Sequence, residues 1–382
     1  MSSHDVIVIG LGGMGGAAVH RLAAEGLRVL GLDRFPAVHD QGSSHGGSRI
    51  IRQAYFEGAD YVPLLLRAYE LWDELEAESG LEIRHRTGGL MVGPADSLAV
   101  AGSLRSAEAH GLDHELLDAA EIRRRFPTMT PADSDVALYE AAAGFVSPEQ
   151  SVTANLTMAR RHGAELRHGV RVDSWTADSA GVTVHADDGV HRAERLVICP
   201  GAWAPDLLAR LGLPLVVERM VQFWFRPTAG PASFAEQRHP IFIWEDAGRR
   251  QAYAFPMHAE SDGTVKAAFF RSGDNACTPD TIDRRVAEGE EEELRRFLST
   301  RVPTLPGPLA RAKTCMYTTT PDEHFVIGPH PRHDRVTLAC GFSGHGFKFV
   351  PVVGEIVADL VARGTTRHPI AMFDPLRFGP QG

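Results

Sequence analysis

One short stretch near the start of the chain most narrows how it can fold. It is Val6-Ile7-Val8-Ile9-Gly10-Leu11-Gly12-Gly13-Met14-Gly15, followed by Leu30-Gly31-Leu32-Asp33. Val6 to Ile9 is an apolar run of the kind that forms a strand buried on both faces. Gly10 permits a tight turn, Gly12 lets the backbone approach a pyrophosphate, and Gly15 lets the next helix pack close to the strand. Gly13 to Glu25 is rich in Ala, Met and Leu and stops at Gly26, which predicts a helix and its end. The first turn of that helix offers free N–H groups and a positive dipole end to phosphate. Arg28 to Leu32 predicts a second strand closed by Asp33, an acid suited to ribose hydroxyls and repellent to a 2′-phosphate. Strand, helix, strand and acid at this spacing predict a dinucleotide-binding unit of the α/β class.

A second glycine-rich segment, Gly341-Phe342-Ser343-Gly344-His345-Gly346-Phe347-Lys348-Phe349, stands near the other end, with Cys315 upstream in Lys313-Thr314-Cys315-Met316-Tyr317. A nicotinamide enzyme has little use for so distant a return. A flavin must have its ring held far from its adenine, so the pair of segments points to FAD. The 382 residues suffice for two domains. A net charge of -10 argues against nucleic acid or an anionic membrane surface as partner. No apolar run reaches membrane-spanning length; even Phe349 to Ala362 is interrupted by Glu355 and Asp359. The N-terminus shows no signal-peptide pattern, and Cys199, Cys277, Cys315 and Cys340 are spaced without metal-ligand pairs. A reducing cytoplasm is the expected compartment, and no metal site is expected.

Along the chain, Tyr61 to Glu76 predicts an amphipathic helix through Leu64, Ala68, Leu71 and Leu75. Ser147-Pro148-Glu149 reads as a cap, a first-turn proline and a first-turn acid of a helix running to Gly163. Short strands are expected at Val170–Val172, Val182–His185 and Leu196–Cys199, with Asp188-Gly189 as a turn. Longer strands of a second sheet are expected at Val216–Phe225, Ile241–Glu245, Ala252–Phe255 and Thr264–Phe270. Pro279 to Val302 reads as charged and helical, Val336–Leu338 as a final strand and Gly354–Ala362 as a final helix. The dinucleotide domain is therefore expected to be discontinuous, over 1–81, 150–214 and 321–382, with 82–149 and 215–320 forming the substrate domain.

Several stretches, in order and spanning nearly the whole chain, resemble the monomeric sarcosine oxidase and N-methyltryptophan oxidase family of flavoprotein amine oxidases. They are Gly10 to Gly15, Ser44-His45-Gly46-Gly47-Ser48-Arg49-Ile50-Ile51-Arg52, Tyr61-Val62-Pro63-Leu64, Gly201-Ala202-Trp203, Tyr253-Ala254-Phe255-Pro256, Cys315-Met316-Tyr317-Thr318, Pro321-Asp322-Glu323-His324-Phe325 and Gly341 to Phe349. The resemblance implies an FAD domain of the glutathione-reductase type beside a catalytic domain built on an antiparallel sheet with helices. It also implies a monomer that oxidises amino-acid amines to imines, reduces oxygen to hydrogen peroxide and carries FAD covalently on a cysteine.

Residue by residue, Cys315 matches the flavinylated cysteine; nearby cations favour its thiolate, and Lys313 shares its face in a regular strand. Cys199 and Cys277 read as structural, and Cys340 is a second candidate for attachment. Arg52 and Lys348 match the pair that binds the substrate carboxylate, an arginine fork with a lysine point charge. His45 and Arg49 match residues beside the flavin ring, where a cation stabilises negative charge, although a histidine there can equally be a structural group. Lys266 matches the oxygen-activating lysine. Tyr253 and Tyr317 match active-site tyrosines, and Gly344 lies in the loop that approaches the ring. Cofactor contacts are further expected from Gly10, Gly12, Met14, Gly15, Asp33, Arg34, Ser43, Ser44, Val172, Gly201, Trp203, Cys315, Gly344, His345, Gly346, Phe347 and Lys348.

One position departs from the family. Its sarcosine oxidases carry a histidine four residues after the lysine, where this chain has Phe270, preceded by Phe269. With Ile243 and Trp244 on a neighbouring strand, the expected amine pocket is more apolar and its substrate bulkier than sarcosine. The leading expectation is an FAD-dependent oxidase of an amino acid or an N-methyl or cyclic amino acid, using oxygen. Alternatives are a biosynthetic imine-forming enzyme, an oxidase of sugar-modified amino acids, or an FAD dehydrogenase with another acceptor. A noncatalytic flavin- or NAD-binding module would leave Arg52 and Lys348 without purpose.

Overall fold

The computed structural model describes residues 4–270 and 275–379. Its first sheet is built around the N-terminal strand His4–Ile9, whose residues Val6 to Val8 have no exposed surface. That strand pairs in parallel with Val29–Asp33 on one side and Gly189–Ile198 on the other. Glu165–His168 extends the parallel set beyond Val29–Asp33, and His333–Cys340 extends it beyond Gly189–Ile198. Parallel strands need crossovers, and helices Gly13–Ala24, Pro148–Arg161 and Val350–Arg363 pack together on this sheet. Helix Val62–Ser79 packs on the last two of them.

Gly189–Ile198 has two roles. Its first half pairs antiparallel with Gly181–Ala186, which pairs with Val172–Asp178, and its second half runs parallel to the core strands. The meander is therefore an outgrowth of the main sheet. A strand expected at Val170–Val172 is instead a junction, because Gly169 takes φ +77° and breaks the extended run.

Among the described residues, the second sheet has nine strands. Val216–Phe225 pairs antiparallel with both Leu309–Thr319 and Val265–Phe270; the latter pairs with Gln251–Ala254, and that with Ile241–Glu245. The sheet is not wholly antiparallel as expected, since Ile241–Glu245 runs parallel to Gly89–Pro94. That partner arrives from a distant part of the chain, so no hairpin fixes its direction. Helix Glu288–Ser299 covers part of the predicted Pro279–Val302 helix; upstream of it Thr278 and Thr281 exchange side-chain and backbone hydrogen bonds that close a turn. A third sheet of three short strands, Arg49–Ile51, Gly144–Val146 and Arg84–Arg86, was absent from the sequence reading. It carries Arg49 and aims the segment leading to Arg52.

Among the described residues, no helix is long and apolar enough to cross a membrane. The four cysteines are free.

Candidate active site

A cleft of about 370 Å³ starts at the C-terminal end of the first strand. It is lined by Gly10, Gly12 and Met14, by Asp33 and Arg34, by Ser43, Ser44, Val172, Gly201 and Trp203, and at its far end by Tyr317, Gly344, Gly346 and Phe347. The turn after the first strand leaves no room for a side chain at Gly15: a Cβ there would lie 1.7 Å from the Gly10 carbonyl oxygen. Helix Gly13–Ala24 has no acid in its first turn and no cap from Gly12; the Ser44 hydroxyl accepts its Gly13 N–H at 3.1 Å, and its positive end borders the cleft. Asp33 Oδ2 accepts the Leu11 N–H at 2.7 Å and Oδ1 the Phe35 N–H at 2.8 Å, which fixes the carboxylate at the cleft wall. Arg34 stacks on Phe35 and Trp203, 5.1 Å from each ring.

The cleft also holds buried polar atoms with no partner: Nε1 of Trp203 and both ring nitrogens of His168. Buried donors and acceptors are normally paired, so these call for a ligand or water. Glycines that cannot gain a Cβ, a helix N-terminus at the cleft with no acid in its first turn, an acid at the second strand and unpaired polar atoms together fit a dinucleotide. His168 was not among the expected contacts, and only its place at the end of the parallel strand Glu165–His168 signals it.

Cys315 lies on Leu309–Thr319, buried, with its Sγ 3.8 Å from Arg49 Nη2 and 3.9 Å from the Ser43 carbonyl oxygen. Arg49 also donates to the Ser43 and Ser48 carbonyls, each at 2.8 Å. The cation that touches the thiol is thus Arg49. Lys313, two residues away on the same strand, reaches outward to Asp40 at 2.9 Å and pulls that carboxyl down to about 2. Neither cysteine lines the cleft: Cys315, expected as a cofactor contact, lies buried beside the lining residues Met316 and Tyr317, and Cys340 lies in the core of the first sheet, where burial pushes its thiol up to about 12.

A second, smaller chamber of about 60 Å³ adjoins the far end of the cleft. Arg49, Tyr317, Gly344 and Phe347 border both spaces. Gly344 takes φ +79°, and a Cβ on it would meet the Tyr317 ring at 2.5 Å, so this loop can approach the ring only as glycine. The chamber is walled by Ile243, Tyr253, Phe255 and Phe270 and closed by Arg52, Glu57, His345 and Lys348. Burial pushes the phenols of Tyr253 and Tyr317 up, Tyr253 to about 12.

Arg52 is 1% exposed. Its guanidinium donates to the Ala54 carbonyl at 2.7 Å, pairs with Glu57 at 2.5 Å and stacks on Tyr55 and Phe56, while Nε has no partner. Glu140 pins the loop by accepting the N–H groups of Gln53 and Ala54. Lys348 Nζ donates to the His345 carbonyl at 2.7 Å; burial is the main cause that brings it down to about 7, with Glu57 opposing. Glu57 was not singled out in the sequence, although it follows Arg52 by five residues.

Three further residues expected at the cofactor do not line the cleft: His345 and Lys348 border the chamber, and Gly15 packs against the Gly10 carbonyl behind the turn. The ring of His345 bonds the Tyr55 hydroxyl at 2.5 Å and the Glu323 carbonyl at 2.9 Å, inside an aromatic cluster with Tyr61 and Phe325. His45, expected near the ring as a cation, does not line the cleft, and both its nitrogens lack partners. Burial, then Arg49, Lys266 and Lys313, pushes it down to about 3, so it is neutral at pH 7. Arg49 carries the positive charge there.

Lys266 sits mid-strand in Val265–Phe270, where alternation turns Lys266, Ala268 and Phe270 to one face and Val265, Ala267 and Phe269 into the core behind; Phe270 reaches the chamber, whereas Lys266 borders neither cleft nor chamber but a separate cavity of about 260 Å³ shared with Ser48, Glu149 and Trp224. Its Nζ donates to the carbonyls of Gly46 at 3.0 Å and Ser48 at 2.7 Å, over the faces of Phe255 and Trp224. Burial and then Arg49 push its pKa well below the ordinary lysine value. Glu149 holds those carbonyls in place from the other side, accepting the N–H groups of Gly46 at 2.6 Å and Gly47 at 3.1 Å. The sequence marked Glu149 only as a first-turn acid. Phe269 packs on Phe297, and Trp244 joins the same core, so neither reaches the chamber as expected; Phe270 and Ile243 do.

Residues 5–360 match the model of the FAD dependent oxidoreductase family. The monomeric sarcosine oxidase of Streptomyces avermitilis is 57% identical over 376 residues, 98% of each chain. The N-methyl-L-tryptophan oxidase of Salmonella dublin is 36% identical, over 98% of this chain and 99% of the relative. Among solved structures, NikD, an unusual amino acid oxidase essential for nikkomycin biosynthesis, superposes with a TM-score of 0.86 at 25% identity over 98% of both chains. Gly10 to Gly15, the cleft they open and these full-length matches agree: the chain belongs to the FAD-dependent oxidoreductases, within the group of monomeric sarcosine and N-methyltryptophan oxidases.

Proposed function

We propose that this enzyme oxidises the amine of an N-methyl or cyclic α-amino acid to the imine, with oxygen as acceptor and FAD attached through Cys315. The observation that carries the reading is the shared border of cleft and chamber at Arg49, Tyr317, Gly344 and Phe347, which sets a cofactor space against a space closed by two cations. FAD would supply the redox chemistry: a hydride from the substrate C–H and a proton from the amine, two electrons and two protons in all, would pass to oxygen as hydrogen peroxide.

The chain's own residues bind and orient. In this reading residues 1–81, 150–214 and 321–382 hold the cofactor, and 82–149 and 215–320 supply the substrate side. Asp33 accepts ribose hydroxyls, and the first turn of helix Gly13–Ala24 receives the pyrophosphate. Cys315, whose Sγ lies 3.8 Å from Arg49 Nη2, would form the bond to the flavin. Arg52, through its free Nε, and Lys348 hold the substrate carboxylate, with Glu57 balancing their charge when the chamber is empty. Fixing the carboxylate turns the α-carbon and amine toward the cleft, an orientation effect that can supply several kcal/mol. Tyr253 and Tyr317 stay protonated and offer hydrogen bonds to the amine side. Phe270 and Ile243 exclude water and favour an apolar substituent over the bare N-methylglycine skeleton. Lys266, held by two carbonyls, presents its ammonium where oxygen takes up charge. The reading includes a monomer in a reducing compartment.

Two measurements test it. Acid-precipitated protein should keep its yellow colour, with the flavin mass on the tryptic peptide containing Cys315; release of all flavin on denaturation would refute attachment. A panel of sarcosine, N-methyltryptophan, proline and pipecolate, read by peroxide release, should rank an apolar or cyclic amine first. Sarcosine as the best substrate would overturn the size preference, and turnover only with an artificial acceptor would overturn the oxidase.

A further inference from the structure

Three helices from distant parts of the chain bring two histidines and a glutamate together. His20 lies on helix Gly13–Ala24, Glu78 in the last turn of Val62–Ser79, and His162 at the C-cap of Pro148–Arg161. His20 Nε2 is 3.2 Å from one Glu78 oxygen, and His162 Nε2 is 3.0 Å from the other. The two imidazoles stack at 5.9 Å. The potential ligand atoms all lie within 4.8 Å of one another. Metal–ligand bonds of roughly 2.0–2.1 Å put tetrahedral ligands about 3.3 Å apart, close to the spacings found.

The surroundings of His20 set its tautomer. Asn155 Nδ2 donates to the Ser151 carbonyl at 2.9 Å, which turns Asn155 Oδ1 toward His20 Nδ1 at 3.1 Å. An amide oxygen only accepts, so His20 Nδ1 carries the hydrogen. Neutral His20 then aims the lone pair of Nε2 at a carboxylate oxygen, with the side chain 3% exposed. Two acceptors cannot face each other in this way unless a positive centre sits between them. A histidine whose far nitrogen donates to an amide or carboxylate oxygen is also the usual form of a metal ligand with its supporting partner.

We propose that His20, Glu78 and His162 bind one divalent transition-metal ion, of the zinc class, that ties the three helices together. Two imidazoles and a carboxylate suit zinc, nickel or cobalt and not calcium or magnesium. The half-exposed Glu78 and His162 leave an entry path and room for a completing water. The role is structural: helix Gly13–Ala24 opens at the glycine turn of the cleft, and the ion would anchor that helix to its two neighbours.

Chelator-treated holoenzyme, titrated with zinc chloride by calorimetry, should bind one ion per chain at this site. Cobalt chloride should give the visible d–d bands of a tetrahedral site with nitrogen and oxygen ligands. Glu78→Gln and His162→Ala change side chains at the surface and should each weaken zinc at least about tenfold. Saturating zinc should raise the melting temperature of the wild type and not of these variants. Absence of saturable zinc binding by the wild type would overturn the site and leave a protonated His20 as the positive centre. Equal affinity in wild type and both variants would overturn it too, assigning the ion to other surface histidines.

Discussion

The cofactor cleft and the substrate chamber share a border, yet they are built differently. The cleft's phosphate end comes from one continuous segment, Gly10 through Arg34, whose geometry follows from strand, turn, helix and strand in immediate succession. The chamber draws Arg52, Tyr253, Phe270, Tyr317 and Lys348 from five separate places in the chain. The two buried lysines carry the contrast further. Lys266 and Lys348 both sit among apolar sequence neighbours, but Lys266 faces backbone carbonyls held by Glu149, whereas Lys348 faces Arg52 and Glu57. A locally built site tolerates little change of shape; an assembled one responds in graded fashion to changes of charge and size.

The largest effect should come from the local site. Gly15→Val places atoms where a Cβ already meets the Gly10 carbonyl at 1.7 Å, so the turn must open. The protein should purify without flavin absorbance and without measurable activity. Flavin-loaded, active Gly15→Val would break the contrast, because the cleft would then be as adaptable as the chamber.

Lys266→Met keeps length and removes the ammonium. Reoxidation by oxygen should slow by about 10²–10³-fold, the range for loss of one preorganised electrostatic group, with anaerobic flavin reduction much less affected. Stopped-flow traces separate the two half-reactions, and an unchanged reoxidation rate would remove the role. Arg52→Ala should cost about 2–4 kcal/mol in kcat/KM, as for a buried charge pair that loses one partner, and the loss should vanish for amines lacking a carboxylate. Equal loss for both substrate types would make Arg52 a structural group of the Glu57 loop.

Phe270→His should shift preference toward sarcosine by about tenfold or more relative to the cyclic amines, the worth of one side-chain contact of roughly 1.5–3 kcal/mol. No shift would show that the wall at 270 does not touch substrate. The smallest effect concerns Lys348, whose pKa near 7 is the balance of burial against Glu57. Protonated below neutrality, it attracts a carboxylate; above, it loses that charge. KM should therefore rise about fivefold from pH 7 to 8 relative to Lys348→Met, whose profile carries the substrate amine's own titration. Parallel profiles would assign the chamber's charge to Arg52 alone.

Much of the fold was legible because it rests on local periodicity. Val216–Phe225 and Ile241–Glu245 have the bounds their apolar and alternating residues predict. The Ser147 cap is present, its hydroxyl accepting the Gln150 N–H. The parallel pairing of Ile241–Glu245 with Gly89–Pro94 and the small sheet carrying Arg49 were not legible, since both join strands by long-range contacts alone.

The sequence by itself determined the dinucleotide turn and the flavin-type return at Gly341 to Phe349. Glycine at 15 and 344 is demanded by backbone geometry, and such demands are written one residue at a time. Only the tertiary structure decided which cation meets the Cys315 thiol, that His45 is neutral, that Phe270 and not Phe269 faces the chamber, and that His20, Glu78 and His162 converge. The reason is physical: a pKa, a lone pair's direction and a pocket wall depend on burial and on neighbours contributed by other elements, and adjacent residues in the chain do not specify either.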